Sequence, residues 1–190
     1  MTHSRGLILA AMLAGVSLTG MAAVATAQEK TVTVGGAPMY PSKTIVENAV
    51  NSKDHTTLVA AVKAAGLVDT LSGKGPFTVF APTNAAFAKL PAGTVDMLVK
   101  PENKATLTKI LTYHVVAGKM GAAELTKAIK DGGGKAMLKT VEGENLTAMA
   151  AGGGIEITDA KGGKSKVTIA DVNQSNGVIH VVDTVMMPAT

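Results

Sequence analysis

The chain has no cysteine and no tryptophan, and its only aromatic residues are Tyr40, Phe77, Phe80, Phe87 and Tyr113. Without cysteine there is no disulfide framework, no thiolate metal site and no cysteine nucleophile. Without aromatic platforms, the stacking modes that hold single-stranded nucleic acid are excluded. Charge is sparse too: 18 Lys+Arg against 14 Asp+Glu give +4 over 190 residues, with the lysines scattered. That is no basic footprint for a nucleic acid, and none is expected as a partner. The hydrophobic share of 46% is too high for a disordered chain. The length suits one domain, large enough to stand without staples.

Catalytic patterns are also missing. No G-x-S-x-G elbow and no G-x-x-x-x-G-K-[ST] loop occur. His55, His114 and His180 have neither a second histidine nor a carboxylate at metal-binding spacing. The methionines beyond residue 27 are dispersed, apart from Met186-Met187, and read as core filler. No enzyme activity, cofactor or metal is expected.

One long apolar run does stand out. Residues 6–24 follow His3 and Arg5, and end in Ala25-Thr26-Ala27 before Gln28. A short basic head, an apolar middle and small residues at A-x-A positions read as a secretory signal peptide over 1–27. No second such run follows, so no stable membrane insertion is expected after cleavage. Residues 28–39, punctuated by Gly35, Gly36 and Pro38, read as a flexible leader with little packing. Residues 40–190 read as the folded domain.

Within it, helical spacing comes first. Segments 44–51, 55–65, 94–99, 102–113 and 122–130 each carry an apolar stripe, with Ser42, Asp54 and Thr83 as candidate caps. Segment 77–80 is a short strand. After Gly134 the period becomes two, predicting strands over 135–140, 145–150, 154–159, 165–171 and 178–182, with Asn176-Gly177 as a turn. Gly132–Gly134 and the glycines at 152–154 read as flexible loops. Helices first and strands later predict an α+β fold. Phe80, Phe87 and Leu90 read as core, and Asn84 as a local backbone partner in its own first turn.

Three segments carry a recognisable pattern. They are Phe77-Thr78-Val79-Phe80-Ala81-Pro82-Thr83-Asn84-Ala85-Ala86-Phe87, Leu111-Thr112-Tyr113-His114-Val115-Val116, and Gly177-Val178-Ile179-His180-Val181-Val182-Asp183-Thr184-Val185-Met186-Met187-Pro188. In order and spacing they resemble the fasciclin (FAS1) domain, over about Tyr40 to Pro188. The resemblance implies a twisted β-wedge or sandwich with several packed helices. It implies a secreted protein, at the cell surface, outside the cell or in the periplasm of a bacterium. The implied function is adhesion to extracellular matrix, a surface protein or a polysaccharide, as a non-catalytic monomer. The alternative is a periplasmic binder of a small apolar ligand or a glycan, which a concave aliphatic pocket would favour.

Four residues are candidate partner contacts. Asp171 and Val172 stand shortly before Asn176-Gly177, where animal fasciclin domains carry an Asp-aliphatic recognition pair; here Ala170 and Asn173 flank the pair instead of the Pro and Met of some such motifs. The pair is expected at an accessible strand end, Val172 only partly buried. Tyr113 and His114 read chiefly as buried groups with backbone partners, and secondarily as contacts. Asp183 reads as a structural carboxylate held by a turn or bulge N–H.

The leader pattern makes a direct prediction. The intact mass of the exported protein should correspond to a chain beginning at Gln28; a mature chain retaining Met1 would remove the signal peptide.

Overall fold

Thr33 and Pro38 face out while Val34 and Met39 face in, and that alternation makes a small hairpin of β1 (Val32–Val34) and β2 (Ala37–Met39). The computed structural model describes residues 30–189, so the signal peptide lies outside the described residues. The expected loose leader is corrected from Val32 onward. Gly35 and Gly36, at φ of 58° and 76°, turn the chain back, and Val34 and Met39 enter the core.

Short helices follow. Thr44 caps α1 (Ile45–Ala49) in a reciprocal box with Glu47, so the cap is Thr44 and not Ser42. Next come α2 (Thr56–Ala65), ended by Gly66 at φ 72°, and α3 (Val68–Ser72). Strand β3 (Phe77–Pro82) leads to α4 (Asn84–Ala88), capped by Thr83. Then come α5 (Thr94–Leu98), α6 (Lys104–Tyr113), β4 (Val115–Ala117) and α7 (Ala122–Asp131). The last third is all strand: β5 (Lys135–Lys139), β6 (Asn145–Ala151), β7 (Gly154–Thr158), β8 (Lys164–Gln174) and β9 (Gly177–Val182).

Seven strands form one mixed sheet in the order β4-β3-β9-β8-β7-β6-β5. Its one parallel pair, β3 with β9, stands second and third in that order, and every residue of β9 is buried. A strand covered on both faces must be continuously apolar, which Gly-Val-Ile-His-Val-Val nearly is. The sheet curls until its ends meet through a Val116–Thr140 bridge and a 2.7 Å bond from Val141 N–H to the Val115 carbonyl. Closure of this kind protects edge strands that would otherwise offer unpaired backbone.

The core has two parts. One lies between α1, α2, α3, α6 and the sheet, and includes Val34, Met39, Leu58, Val62, Leu111 and Ile179. The other lies inside the curl and includes Phe80, Tyr113, Leu125, Leu146, Ile157 and Val182. The expected core aromatics Phe80 and Phe87 are both buried.

Three local readings change. Gly152 and Gly153, at φ of 57° and 81°, are not a loose loop but the two-residue turn of the β6–β7 hairpin. Strand β8 does not end at Asp171; it passes through a bulge there and continues to Gln174. The Asn84 side chain does not serve its own helix. Its Oδ1 accepts from Thr57 N–H at 3.0 Å and its Nδ2 donates to the Lys53 carbonyl at 2.8 Å, holding the start of α2.

Phe80 is wholly buried and stacks on the His180 ring, centroids 5.7 Å apart. Phe80→Ala should therefore cost about 3–5 kcal/mol, as large buried truncations do. Urea unfolding measures this, and an unchanged midpoint at unchanged slope would place Phe80 on the surface.

Candidate functional site

Helix α6 ends in Tyr113 and His114, both buried. The Tyr113 hydroxyl donates to the Asn145 carbonyl at 3.3 Å and accepts from Ala160 N–H at 2.9 Å, tying β6 to the β7–β8 hairpin. The His114 ring donates from Nδ1 to the Ile110 carbonyl at 2.8 Å, and its Nε2 accepts from Met186 N–H at 3.0 Å. The His114 carbonyl accepts from Phe80 N–H at 2.9 Å. Asp159 completes the arrangement: Oδ1 accepts from Lys161 and Gly163 N–H, and Oδ2 from Met187 N–H at 2.9 Å. The chain after β9 is thus held by His114 and Asp159 together. Nothing in the local sequence around Asp159 marks this role beyond the turn-forming Gly162-Gly163.

The other two described histidines are also structural. His55 faces the Ser52 hydroxyl at 2.9 Å and the Ala81 carbonyl at 3.4 Å. His180 donates from Nε2 to the Met120 carbonyl at 2.8 Å, and its Nδ1 accepts weakly from Asp171 N–H at 3.4 Å. Burial pulls the pKa of both below the usual imidazole value. Asp183 accepts from Lys166 N–H and the Thr184 hydroxyl, and pairs with Lys89 at 3.6 Å. No hydrogen bond joins His114, His180 and Asp183, so the convergence that hydrolytic chemistry needs is absent among them. No three His, Cys, Asp or Glu side chains converge as a metal site among the described residues.

The Asp171-Val172 pair is split by the bulge. Asp171 is exposed, but Val172 is 1% exposed and packs in the core, which corrects its expected partial exposure. The reason is register: Val172 pairs with Ile179 on the inward face of the sheet. Burial likewise removes Tyr113 and His114 from any surface contact. Of the four candidates, Asp171 alone is accessible. It is the one non-glycine residue with positive φ among those described, at 58°. Its Oδ1 accepts from Ala122 N–H at 2.6 Å, the first residue of α7, whose own cap position is Gly121. Asp171 therefore caps α7 from another strand, at a backbone cost of roughly 1–2 kcal/mol for a left-handed residue.

Two depressions bear on binding. An apolar cavity of about 40 Å³ sits under the β1–β2 hairpin, lined by Val34, Met39, Leu58, Val62, Leu111 and Ile179 among others. A cleft of about 460 Å³ lies between residues 72–76 and 174–177, flanked by Thr44 and Lys119. Sequence reasoning did not anticipate the cleft, because its walls are five or more elements apart along the chain.

Two outcomes follow from this chemistry. Asp171→Ala should lower stability by about 1 kcal/mol through loss of the α7 cap, and Asp171→Asn by less, since Asn both caps and tolerates positive φ. Denaturant titration of the pair tests it; equal losses would deny the cap. Burial holds the His114 pKa at about 4, against an ordinary 6.5. The folded state keeps this ring neutral while the unfolded chain takes up a proton below pH 6.5. Its contribution, about 3 kcal/mol, is full above pH 6.5 and is lost as pH falls to about 4. Unfolding free energy measured from pH 7 to 4 should fall across that window, and His114→Asn should flatten the slope.

Comparison with known proteins completes the picture. The Fasciclin domain description matches residues 53–188. Protein sll1483 of Synechocystis sp. is 49% identical over 173 residues, 89% of each chain. The immunogenic protein MPB70 of Mycobacterium bovis is 38% identical over 145 residues, 74% of this chain and 66% of that protein. The cell surface glycolipoprotein MPB83 of Mycobacterium bovis is 38% identical over 145 residues, 74% of this chain and 58% of its own. In fold, the chain matches a FAS1 domain pair from the insect cell adhesion molecule fasciclin I, with a TM-score of 0.68 at 21% identity, over 80% of this chain and 52% of that one. By sequence and by its α+β fold, the chain belongs to the fasciclin-domain family.

Proposed function

We propose that this protein is an exported interaction module that binds a surface protein, a matrix component or a polysaccharide of the cell envelope, without catalysis. The observation that carries this reading is the use made of its chemistry-bearing side chains. His55, His114, His180, Asp159 and Asp183 are all engaged within the fold, each with at least one backbone group, His55 also with the Ser52 hydroxyl and Asp183 also with Thr184 and Lys89. What remains for function is the surface. Membership of a family that includes a cell adhesion molecule and a cell surface glycolipoprotein supports the same reading. Among the described residues no helix is long and apolar enough to cross a membrane. Export rests on the 1–27 pattern.

The apolar-ligand alternative meets a size argument. The apolar cavity offers about 40 Å³, whereas a cavity of about 150 Å³ is what holds one benzene. An apolar ligand of useful size would need the β1–β2 hairpin to leave its place, taking Val34 and Met39 out of the core. The surface reading needs no such movement.

The test is binding of the labelled exported protein to intact cells and to separated envelope protein and polysaccharide fractions. Saturable binding that unlabelled protein competes away supports the proposal. Binding no greater than that of an unrelated exported protein of similar charge overturns it.

A further inference from the structure

We propose that the cleft between residues 72–76 and 174–177 is a binding site for an acidic saccharide, a uronate unit of a polysaccharide chain. The inference rests on the surface-binding reading above and names its site and ligand class.

The cleft is built rigidly. Asn176, nine-tenths buried, donates from Nδ2 to the Leu71 and Gly73 carbonyls at 2.7 and 2.9 Å, and its Oδ1 accepts from Ile45 N–H at 3.1 Å. One side chain thus locks α1, the loop after α3 and the β8–β9 turn together. The two walls touch backbone to backbone. A Cβ on Gly75 would lie 2.0 Å from the Asn176 carbonyl oxygen, and one on Gly177 would lie 2.1 Å from that of Phe77. The cavity of about 460 Å³ falls within the usual range of ligand pockets, about 300–1,000 Å³.

Its chemistry is one-signed. Lys74 and Lys119 line it, both exposed, and no carboxylate does. Neither lysine forms an ion pair among the described residues. Lys119 also borders a neighbouring depression that holds Glu124 and Asp171, yet neither lies within ion-pair distance of it. The exposed hydroxyls of Ser72 and Ser175 make no hydrogen bond to other described residues. The cleft therefore presents two ammonium groups and free hydroxyls on a fixed frame, which matches a carboxylate surrounded by sugar hydroxyls. No aromatic ring lines it, so a neutral sugar lacks a stacking surface. Exposed lysines make weak contacts singly, so a single saccharide binds weakly. A polymer that repeats the unit gains by avidity where several copies of the protein sit on one surface.

The experiment is a titration of the exported protein with a uronic-acid oligosaccharide of defined length, followed by NMR chemical shifts. Neutral glucan and oligoglutamate of equal length serve as parallel ligands. Saturable uronate binding with shifts at Ser72, Lys74, Lys119 and Ser175 is expected, about tenfold weaker in Lys74→Ala/Lys119→Ala. Lys130→Ala/Lys135→Ala, with the same charge loss elsewhere, should change affinity less than twofold. Equal weakening by both variants, equal affinity for oligoglutamate, or no saturable uronate binding would overturn the site. If the site fails while intact cells still bind the protein, the surface-binding reading stands; if cell binding fails as well, both fall.

Discussion

The fold depends on one buried polar contact, the His114 imidazole between the Ile110 carbonyl and Met186 N–H. This bond requires a ring protonated at Nδ1 and bare at Nε2, so it exists only while His114 is neutral. Through it, the end of α6 holds the segment after β9, which sends Val185 into the core between helices and sheet and Met186 into the core inside the curl. Tyr113 beside it holds the β7–β8 hairpin, and Asp159 in that hairpin returns to the same terminal segment. Four distant pieces of chain therefore meet at two adjacent residues. A buried network of this kind is stable only when every member is satisfied, and here each ring nitrogen and the hydroxyl have partners.

The same economy shapes the rest of the molecule. Aromatics are few, so the interior is filled with Val, Ile, Leu, Ala and Met in two clusters. Buried side-chain amides then set the geometry that large rings would set elsewhere. Asn48 joins Tyr40 and Gln174, and Asn176 joins three segments at the cleft. A removed partner at any of these would leave a buried polar atom unpaired, which costs more than the bond itself contributes.

Function is then a matter of what the frame leaves outside. The histidines and structural carboxylates face inward or pair with the backbone. The exposed face carries scattered lysines, hydroxyls and Asp171, fixed on a nearly closed sheet whose edge is guarded by Lys135 and Lys139. Recognition of another surface, as proposed, would fall to these exposed groups.

Much of this was legible in the residues. Period-two alternation marked β5 to β8, the Asn176-Gly177 turn marked the start of β9, the apolar stripes marked α2, α6 and α7, and Phe-Thr-Val-Phe-Ala-Pro-Thr-Asn marked a strand capped into a helix. These are local signals, set by the burial of one face and by side-chain oxygens near free N–H groups. The three matching segments resemble the family pattern for the same reason, since they supply largely buried parts of β3, α4, α6, β4 and β9. Other features had no local signal. Val172 looked accessible because its neighbours are polar, and only the bulge at Asp171 and the pairing with Ile179 turned it inward. The 28–39 stretch reads as unpacked because few of its residues are large and apolar; from Val32 onward it folds because the core offers Val34 and Met39 a place. The role of Asp171 at α7, of Asn84 at α2 and of the cleft at Asn176 depends on segments tens of residues apart. Local pattern determined which segments were helix, strand and core; long-range register alone decided which polar atoms met, because a hydrogen bond depends on position in space and not on distance along the chain.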